Sequence, residues 1–186
     1  MRRIVEKFEQ AWSVARVLIA NHLIFMLGRG LRMVWYRMAM DFAIGEGSVI
    51  LADCRVSEPS KLGIGKHTIV GNSCRFDNRQ RIVIGDNVTI SYGTVILTLG
   101  HDIDSSDFTL KRGDVRINNY VWLCAKCMVM PGVRIGEGAV VLPGSVVVHD
   151  VEPFSVVGGV PARFLRKRNR NLEYHPTLSL PVSPLD

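Results

Sequence analysis

A histidine stands where an otherwise regular sequence is interrupted, and it is the first residue whose chemistry suits catalysis. His101 lies in the stretch LTLGHDIDSSDFTL, residues 97–110, between two segments of regularly spaced aliphatic residues. Histidine changes its charge near neutral pH, because its unperturbed pKa is about 6.5, and it can therefore act as a general acid or base. The alternative is a solvated loop histidine without a catalytic role.

Two further motifs contain residue types that bind metals in other proteins. Asp102-Ile103-Asp104 resembles the DxD pattern of metal-dependent glycosyltransferases, but no nucleotide-sugar domain accompanies it. We interpret these carboxylates as loop residues, either of which could orient His101. Cys124 and Cys127 form a single CxxC pair, whereas a structural zinc site needs a second pair of cysteines or histidines. We therefore predict no metal site.

The segments on both sides of the histidine repeat with a period of six residues. A six-residue period with an apolar lead position and a small or β-branched position four residues later is typical of a parallel β-helix, in which three hexads form one coil of a triangular prism. The lead positions are Ile44, Ile50, Val56, Ile64, Val70, Phe76, Ile84, Ile90, Ile96, Ile117, Leu123, Val129, Ile135, Val141 and Val147. The small or β-branched positions are Ser48, Cys54, Thr68, Cys74, Val88, Thr94, Val121, Cys127, Val133, Ala139 and Ser145. Both sets are expected to point into the prism, and the glycines that often follow a lead are expected to supply backbone freedom at the corners.

Insertions between the hexads all come after a third hexad, at one corner of the predicted prism. Two residues are inserted at Leu62-Gly63 and two at Ile82-Val83, whereas fifteen are inserted at 102–116. Ordered loops of that length are mostly functional. The pattern therefore places His101 at the foot of a long loop that leaves one edge of the β-helix.

Three motifs resemble the left-handed β-helix hexapeptide-repeat acetyltransferases and occur in the order found in that family. These motifs are GHDIDSSDF in the loop, NNYVWLCAKCMVMPGV at 118–133 and GVRIGEGAVVLPGSVVVHDVEPFSVVGGVPARFLRKR at 132–168. The loop is most similar to the branch that O-acetylates sugars of bacterial exopolysaccharides such as colanic acid, and more distantly similar to the galactoside and maltose acetyltransferases. The resemblance implies a mainly β fold, a left-handed parallel β-helix, that works as a homotrimer with active sites between neighbouring prisms.

The resemblance also implies an activity and catalytic roles. Members transfer an acetyl group from the co-substrate acetyl-CoA to a sugar hydroxyl, and we expect no metal requirement. His101 corresponds to the general base. The backbone N–H of Ala125 corresponds to the donor that stabilises the oxyanion of the tetrahedral intermediate. Family members often have Gly-Gly or Gly-Ser where this chain has Cys124 and Ala125.

The contacts with CoA that the resemblance implies lie towards the C-terminus. Trp122 looks like the tryptophan that flanks the pantetheine arm, and Pro143 belongs to the same cofactor-binding set. The tail motif Gly-Val-Pro-Ala-Arg at 159–163 and the base three residues later supply Arg163 and Arg166 for the phosphates. An ordinary wall aromatic and a solvated basic segment are the alternatives. His149 stands where relatives commonly have a lysine, so a CoA contact at that position stays open.

Acceptor-binding groups have a weaker signal. Asp77 and Asn78 lie at a turn one coil below His101, and Asp102 follows the histidine directly. These three residues are candidates for contact with the acceptor. Ordinary turn formation is the alternative for Asp77 and Asn78.

The chain divides into three segments by composition. Residues 1–41 are predicted to be helical, residues 42–160 to form the β-helix with its loop, and residues 161–186 to form a short C-terminal helix bounded by Pro161 and an extended tail that could pack on a neighbour. The apolar run at 17–27 is too short and too polar to span a bilayer. The N-terminal segment therefore either caps the first coil or rests as a basic amphipathic segment on the inner membrane surface.

Composition fits one globular domain with a helical appendage. The 186 residues carry a formal net charge of +6, which by itself fits an anionic ligand, a nucleic acid or an acidic membrane surface. With the resemblance we expect a saccharide acceptor and no nucleic-acid partner. Four cysteines without a signal peptide favour reduced thiols in the cytoplasm.

We therefore predict an acetyl-CoA-dependent O-acetyltransferase that acts on a bacterial cell-surface or exported saccharide. Xenobiotic and amino-acid acetyltransferases of the same fold stay open as alternatives. The γ-type carbonic anhydrases share the fold but need paired histidines, and His67, His101 and His149 are isolated in the sequence. A non-catalytic β-helix scaffold is the remaining alternative, and it would need neither a loop histidine nor the Gly-x-Pro-Ala-Arg tail.

Overall fold

Short parallel strands wind into a triangular β-helix in the computed structural model, which describes residues 2–178 except the side chains of residues 2–4 and 25. The first coil contains β1 (Ala43–Ile44), β2 (Val49–Ile50) and β3 (Arg55–Val56), the second β4 (Leu62–Ile64), β5 (Ile69–Val70) and β6 (Arg75–Asp77), and the third β7 (Ile82–Ile84), β8 (Thr89–Ile90) and β9 (Val95–Leu97). A hairpin of β10 (Leu99–His101) and β11 (Leu110–Arg112) follows. The fourth coil contains β12 (Val115–Ile117), β13 (Trp122–Leu123) and β14 (Met128–Val129), and the fifth β15 (Arg134–Ile135), β16 (Val140–Val141) and β17 (Val146–Val147). A sixth coil begins with Val151 and β18 (Ser155–Gly159), and β19 (Ala162–Lys167) follows.

Three sheets form the faces of the prism. Face A contains β1, β4, β7, β12 and β15, face B contains β2, β5, β8, β13, β16, β18 and β19, and face C contains β3, β6, β9, β14 and β17. The chain passes from A to B to C in every coil, so the edges of the prism are A–B, B–C and C–A. The insertions predicted from the sequence fall at the C–A edge or in the face A strand that follows it.

Aliphatic side chains stack inside the prism, as the six-residue period predicts. Fourteen of the fifteen lead positions are buried, and Ile44 in the first coil is half-buried. All eleven small or β-branched positions are buried too. The register places like positions beside one another, as in the row Ile50, Val70, Ile90 and Leu123. Each fully buried aliphatic side chain contributes about 1.5–3 kcal/mol, and every coil depends on its neighbours for that burial.

Glycines at the A–B edge allow successive coils to approach closely. Backbone freedom was the role expected for them, but Gly45, Gly65 and Gly85 are not in the left-handed region. A Cβ built on Gly65 would lie 2.6 Å from the carbonyl carbon of Gly85, so the next coil occupies the space that a side chain would need. The left-handed conformation comes two residues later instead, at His67 (φ 51°) and Asn87 (φ 57°).

Two helices cover the first coil. Helix α1 (Arg2–His22) is followed by a short 3₁₀ helix (Ile24–Met26) and by α2 (Arg29–Met38). The side chain of Asn21 pairs with the backbone of Val56, because Nδ2 donates to its carbonyl at 2.8 Å and Oδ1 accepts from its N–H at 2.9 Å. Tyr36 on α2 is buried against the same coil. The helical segment therefore caps the prism, which is one of the two arrangements expected from the sequence.

The long insertion is an ordered hairpin rather than an open loop. Its strands β10 and β11 pair antiparallel, with His101 opposite Leu110, and Val115 already pairs with Ile82 on face A. The insertion thus spans residues 98–114 and not the predicted 102–116. The hexad count could not place these ends, because neither hairpin strand belongs to the repeat.

The segment after Pro161 is a strand, and the prediction of a short C-terminal helix there is wrong. Strand β19 pairs antiparallel with β18 after a turn in which Gly159 has φ 104° and the Val160-Pro161 bond is cis. The pairing gives hydrogen-bond partners to the outer edge of β18, which a helix could not do.

Residues 168–178 form an extended strap that runs back along the A–B edge. Arg168 donates to the carbonyl oxygens of Tyr120 and Gly138, each at 3.2 Å. Farther along, His175 Nδ1 lies 2.6 Å from Asn87 Oδ1. The extended conformation agrees with the prediction, but these residues pack on their own prism. The predicted tail at 179–186 lies outside the described residues.

Candidate active site

The hairpin holds His101 in one ring orientation. The imidazole is stacked on Phe108, with ring centroids 3.6 Å apart and planes inclined by 14°, and its Nδ1 lies 2.8 Å from the carbonyl oxygen of Phe108. Because a carbonyl oxygen can only accept, we assign the hydrogen to Nδ1 and the free lone pair to Nε2. His101 is exposed, so Nε2 can accept a proton from a bound substrate.

A groove of about 480 Å³ opens beside this ring at the C–A edge. The residues that line it are Gly100, His101, Asp102, Ile103, Asp104, Lys111, Met130, Pro131 and Val148. Asp102 accepts the N–H of Asp104 at 3.1 Å, and within the described residues neither carboxylate is hydrogen-bonded to the imidazole. The backbone of Phe108 therefore orients His101, and the expected carboxylate partner is not observed. Phe108 and Lys111 could not be identified from the sequence, because only the hairpin pairing brings them to the histidine.

A second group of predicted residues lies on face B and at the B–C edge. Trp122 is exposed on face B, and its Nε1–H donates to the hydroxyl of Ser91 at 3.1 Å. Ala125 lies in the next turn and accepts the N–H of Gly144, the residue after Pro143, at 3.0 Å. In residues 2–178 the N–H of Ala125 donates to no acceptor, as in the equivalent turns of the earlier coils. An oxyanion donor needs such a free N–H.

The residues expected to meet the CoA phosphates lie on the last strands of face B. Arg166 is paired with Val156 across β18 and β19. Val156 is paired with Val140, and Val140 with Trp122. Arg166 and Trp122 therefore stand in one cross-strand row, so a single elongated ligand could contact both.

Arg163 and His149 line a common groove of about 220 Å³ at the last coil. Asp150 and Glu152 line it as well, so the groove carries charges of both signs. Both side chains are exposed. The sequence left open whether His149 takes the place of a CoA-binding lysine, and its position beside Arg163 is compatible with that role.

The predicted catalytic and cofactor residues are not brought together within one chain. His101 lies at the C–A edge, whereas Ala125 and Pro143 lie at the B–C edge, on the other side of face C. The groove beside His101 is lined by none of Trp122, Ala125 and Pro143. A site that uses both groups needs edges from two prisms.

Asp77 and Asn78, the acceptor candidates one coil below His101, differ in burial and in their hydrogen-bond partners. Asn78 is fully buried, and its Oδ1 accepts the N–H groups of Ser57 and Glu58 at 2.8 and 3.0 Å. This arrangement favours the turn-forming alternative for Asn78. Asp77 pairs with Arg79 through two hydrogen bonds of 2.7 Å, and these bonds raise the pKa of the guanidinium.

A groove of about 390 Å³ on face C contains arginines that the sequence analysis missed. Its lining consists of Asn21, Arg55, Val56, Ser57, Arg75, Phe76, Asp77, Arg79, Val95 and Leu97. Arg55 and Arg75 are directly paired neighbours on β3 and β6. Their separation by one coil in the sequence is a signal that could have identified them.

All four cysteines are buried and free. Burial raises the pKa of Cys127 to about 11, so this thiol is protonated at neutral pH. Within residues 2–178 of one chain, no group of three or more His, Cys, Asp or Glu side chains is placed to hold a metal ion. Cys127 is one of the buried small positions of the repeat, which gives the CxxC spacing a structural explanation.

Comparison with known proteins identifies relatives of this arrangement. The family model for bacterial transferase hexapeptide (six repeats) matches residues 114–149. The protein named "Putative colanic acid biosynthesis acetyltransferase WcaF" of Escherichia coli (strain K12) is 33% identical over 125 residues, which are 67% of this chain and 69% of the relative. Galactoside O-acetyltransferase of the same strain is 29% identical over 142 residues, or 73% of this chain and 69% of the relative.

A solved structure shares the fold. The hexapeptide-repeat acetyltransferase VCA0836 from Vibrio cholerae O1 biovar eltor, complexed with acetyl coenzyme A, superposes with a TM-score of 0.76 at 27% identity, over 86% of each chain. The predicted fold class, a left-handed parallel β-helix, is thereby confirmed, apart from the C-terminal helix.

Other matches are shorter. The chain spans about half, or less, of the length of the chloramphenicol acetyltransferases it matches: 54% of the enzyme from Morganella morganii and 28% of that from Klebsiella aerogenes. The match to WcaF extends over two thirds of both proteins. Together with the hexapeptide match and the shared fold, it shows that the chain belongs to the hexapeptide-repeat acetyltransferase family.

Proposed function

We propose that the protein is an O-acetyltransferase of polysaccharide biosynthesis, which transfers the acetyl group of acetyl-CoA to a hydroxyl of a cell-surface or exported saccharide. The observation that carries the proposal is the exposed imidazole of His101, whose Nε2 is left free by the hydrogen bond from Nδ1 to Phe108. The relatives named for colanic acid biosynthesis and galactoside acetylation support a saccharide acceptor. The acetyl-CoA complex of the Vibrio cholerae structure supports the donor.

In the proposed mechanism, His101 acts as a general base. Nε2 removes the proton of the acceptor hydroxyl while the hydroxyl oxygen attacks the thioester carbonyl carbon, and the backbone N–H of Ala125 donates to the oxyanion that forms. Collapse of the intermediate breaks the C–S bond, and the imidazolium returns the proton to the departing thiolate. The products are the acetyl ester and CoA with a free thiol, and the imidazole is neutral again.

We propose a homotrimer, because the groups that the mechanism combines lie on opposite sides of face C. Packing the C–A edge of one prism against the B–C edge of the next would bring His101 to Ala125. Three such contacts close a ring. The mass of the native protein, measured by light scattering after gel filtration, tests the assembly, and an active monomer contradicts it.

The elongated donor would lie along face B. We place its pantetheine arm beside Trp122 and its phosphates near Arg163 and Arg166, since arginine pairs well with phosphate oxygens. His149 lines the same groove as Arg163 and could supply a further donor. Calorimetric titration of R163Q and R166Q with CoA tests these contacts, and unchanged affinity in both variants argues against them.

The N-terminal helices have the properties of a surface that rests on a membrane. Residues 1–40 contain seven lysines and arginines against two glutamates, so they carry +5 of the chain's net charge of +6. Val5, Phe8 and Trp12 are exposed, Phe8 by 73%, and their spacing of three and four residues places them on one side of α1. No helix in the described part of the chain is long and apolar enough to cross a bilayer.

We propose that this surface binds an anionic lipid headgroup layer, as on the cytoplasmic side of the inner membrane. Pairing of two copies through it would bring like charges together, whereas anionic lipid offsets them. Flotation with phosphatidylglycerol vesicles tests the contact, with phosphatidylcholine vesicles and the F8S/W12S variant as controls. Equal flotation with both lipids, or none, contradicts the proposal.

A xenobiotic or amino-acid acceptor is the second candidate. The matches to chloramphenicol acetyltransferases reach 50% identity over 58 residues, but they cover only part of those enzymes. A γ-type carbonic anhydrase activity and a non-catalytic scaffold have less support, because neither accounts for a single imidazole that the hairpin orients beside a groove.

The experiment that tests the proposed function follows thiol release from acetyl-CoA by the purified protein. The acceptors are neutral and acidic mono- and oligosaccharides, chloramphenicol and serine. Release that depends on a saccharide, with an O-acetyl product in the mass spectrum, supports the proposal. Release with chloramphenicol or serine alone supports the second candidate. CoA binding without release for any acceptor overturns the saccharide assignment for the acceptors tested.

A further inference from the structure

Two stacked arginines on face C line a groove. Arg55 and Arg75 occupy directly paired positions on β3 and β6, so their side chains leave the wall about 5 Å apart. Like charges placed opposite each other destabilise a sheet. Within the described residues, neither guanidinium has a hydrogen bond or an ion pair with the protein.

The one aspartate that lines the groove is already paired. Both carboxylate oxygens of Asp77 accept hydrogen bonds from the guanidinium of Arg79, at 2.7 Å each. Glu58 lies near enough to contribute to the raised pKa of Arg79. The groove is lined by three arginines and one aspartate, and after the pairing of Asp77 with Arg79 two positive charges remain without a partner.

The size and the apolar wall of the groove suit a sugar ring. Its volume is about 390 Å³, which lies in the range of small-molecule sites. Val95 and Leu97, both half-buried, give it an apolar wall, against which the C–H face of a ring can pack. The two free arginines would then meet a negative group on the same ring.

The groove also lies close to the proposed base. Leu97 lines it, and His101 is four residues farther along the chain, so their Cα atoms are within about 14 Å of each other. Asp77 is paired in register with Leu97 on the next strand. A saccharide of a few units could therefore occupy the groove and present a hydroxyl at His101.

We propose that this groove is an acceptor subsite for an acidic saccharide, in which Arg55 and Arg75 bind the carboxylate or phosphate of the sugar that is acetylated or of its neighbour. The inference rests on the proposed function and names its substrate class. Arginine binds both anions through two parallel N–H groups. Arg79, held by Asp77, positions the rim of the groove.

Direct binding tests the inference separately from catalysis. Saturation-transfer NMR titrations would measure methyl glucuronide, its uncharged methyl ester, methyl glucoside and glucose 1-phosphate on the wild type and on R55Q/R75Q. The matched control is R116Q/R134Q, because Arg116 and Arg134 are likewise paired neighbours, on face A and outside this groove. Both double variants remove the same charge from exposed positions.

The expected result is that methyl glucuronide or glucose 1-phosphate binds at least tenfold more tightly than the neutral probes. R55Q/R75Q should remove this preference, since a hydrogen bond to a charged group contributes about a tenfold or greater effect, and R116Q/R134Q should keep it. Whichever anion binds more tightly identifies the chemistry as carboxylate or phosphate. Equal affinity for the glucuronide and its ester, or equal losses in both double variants, overturns the inference.

Thiol release with the same probes separates the two proposals. If neutral sugars are acetylated and the anionic probes are not preferred, the subsite is wrong and the proposed function stands. If no saccharide is acetylated but R55Q/R75Q still loses the anionic preference, the groove is an anion site and the proposed function fails.

Discussion

Replacement of His101 by asparagine separates its catalytic role from its structural one. The Nδ2–H of asparagine can take the place of the imidazole Nδ1–H and donate to the carbonyl oxygen of Phe108, which His101 meets at 2.8 Å. The amide has no basic nitrogen in the position of Nε2. We therefore expect H101N to keep the hairpin and to lose the proton acceptor.

The two effects differ enough in size to be measured separately. Loss of a general base lowers kcat by about 10²–10⁴-fold, which corresponds to about 3–5 kcal/mol of transition-state stabilisation. The structural cost is the ring contact with Phe108, at 3.6 Å between centroids, and such a contact contributes about 0.5–1.5 kcal/mol. For a chain of this length the melting temperature should fall by no more than about 6 °C.

The assay measures thiol release against acetyl-CoA concentration, together with CoA affinity by calorimetry. H22N is the matched control, because His22 is also exposed but lies at the end of α1. H22N should keep the kcat of wild type, whereas H101N should lose about 10²–10⁴-fold in kcat while it still binds CoA. A kcat of H101N within about threefold of wild type would refute the assignment of His101.

Three further predictions concern the scaffold. Gly65→Ala should destabilise the β-helix by about 1–3 kcal/mol, because its Cβ would stand 2.6 Å from backbone in the next coil, whereas Gly63→Ala meets nothing within 4 Å; equal denaturant midpoints for the two variants would contradict this account. Asn21→Ala removes both hydrogen bonds to Val56, so the free energy of unfolding should fall by about 1–3 kcal/mol and the amides of α1 should exchange faster with deuterium; unchanged protection would argue against the capping role. Because the pKa of Cys127 is raised from 9.0 to about 11 in the folded protein, its thiol is ionised more readily in the unfolded chain. The free energy of unfolding is therefore unaffected by this group below pH 9.0 and falls as pH rises from there through about 11. Cys127→Ala should therefore lose less stability than the wild type between those pH values in denaturant titrations, and identical pH slopes would disprove the link.

The interior of the β-helix could be predicted because each coil repeats the same packing problem. A lead residue such as Ile90 is covered by Val70 on one side and by Leu123 on the other. A polar side chain there would lose its hydrogen bonds with water. This requirement for an apolar residue recurs every six residues, so it is visible in the sequence as a regular period.

Elements outside the repeat were predicted less well, since nothing in the period constrains them. The hairpin at 98–114 is defined by pairs such as His101 with Leu110, which belong to no hexad. Strand β19 was expected to be helical because Pro161 often begins a helix, but the free edge of β18 offered hydrogen bonds that only a strand could use. In both cases the structure depends on pairing with a neighbouring strand, β11 for β10 and β18 for β19.

Most residues of the candidate site occupy positions that the six-residue period does not constrain. Side chains that point outward from the faces are not constrained by packing in the interior. The outward position occupied by Arg55 and Arg75 in the first two coils is therefore occupied by Val95 in the third. A single arginine at such a position carries no information about function. Two at successive coils are informative when they also line a groove and have no acidic partner, as Arg55 and Arg75 do, whereas Arg116 and Arg134 are stacked outside that groove. In a β-helix, residues one coil apart on the outer faces are therefore the place to look for binding sites that the hexad pattern does not reveal.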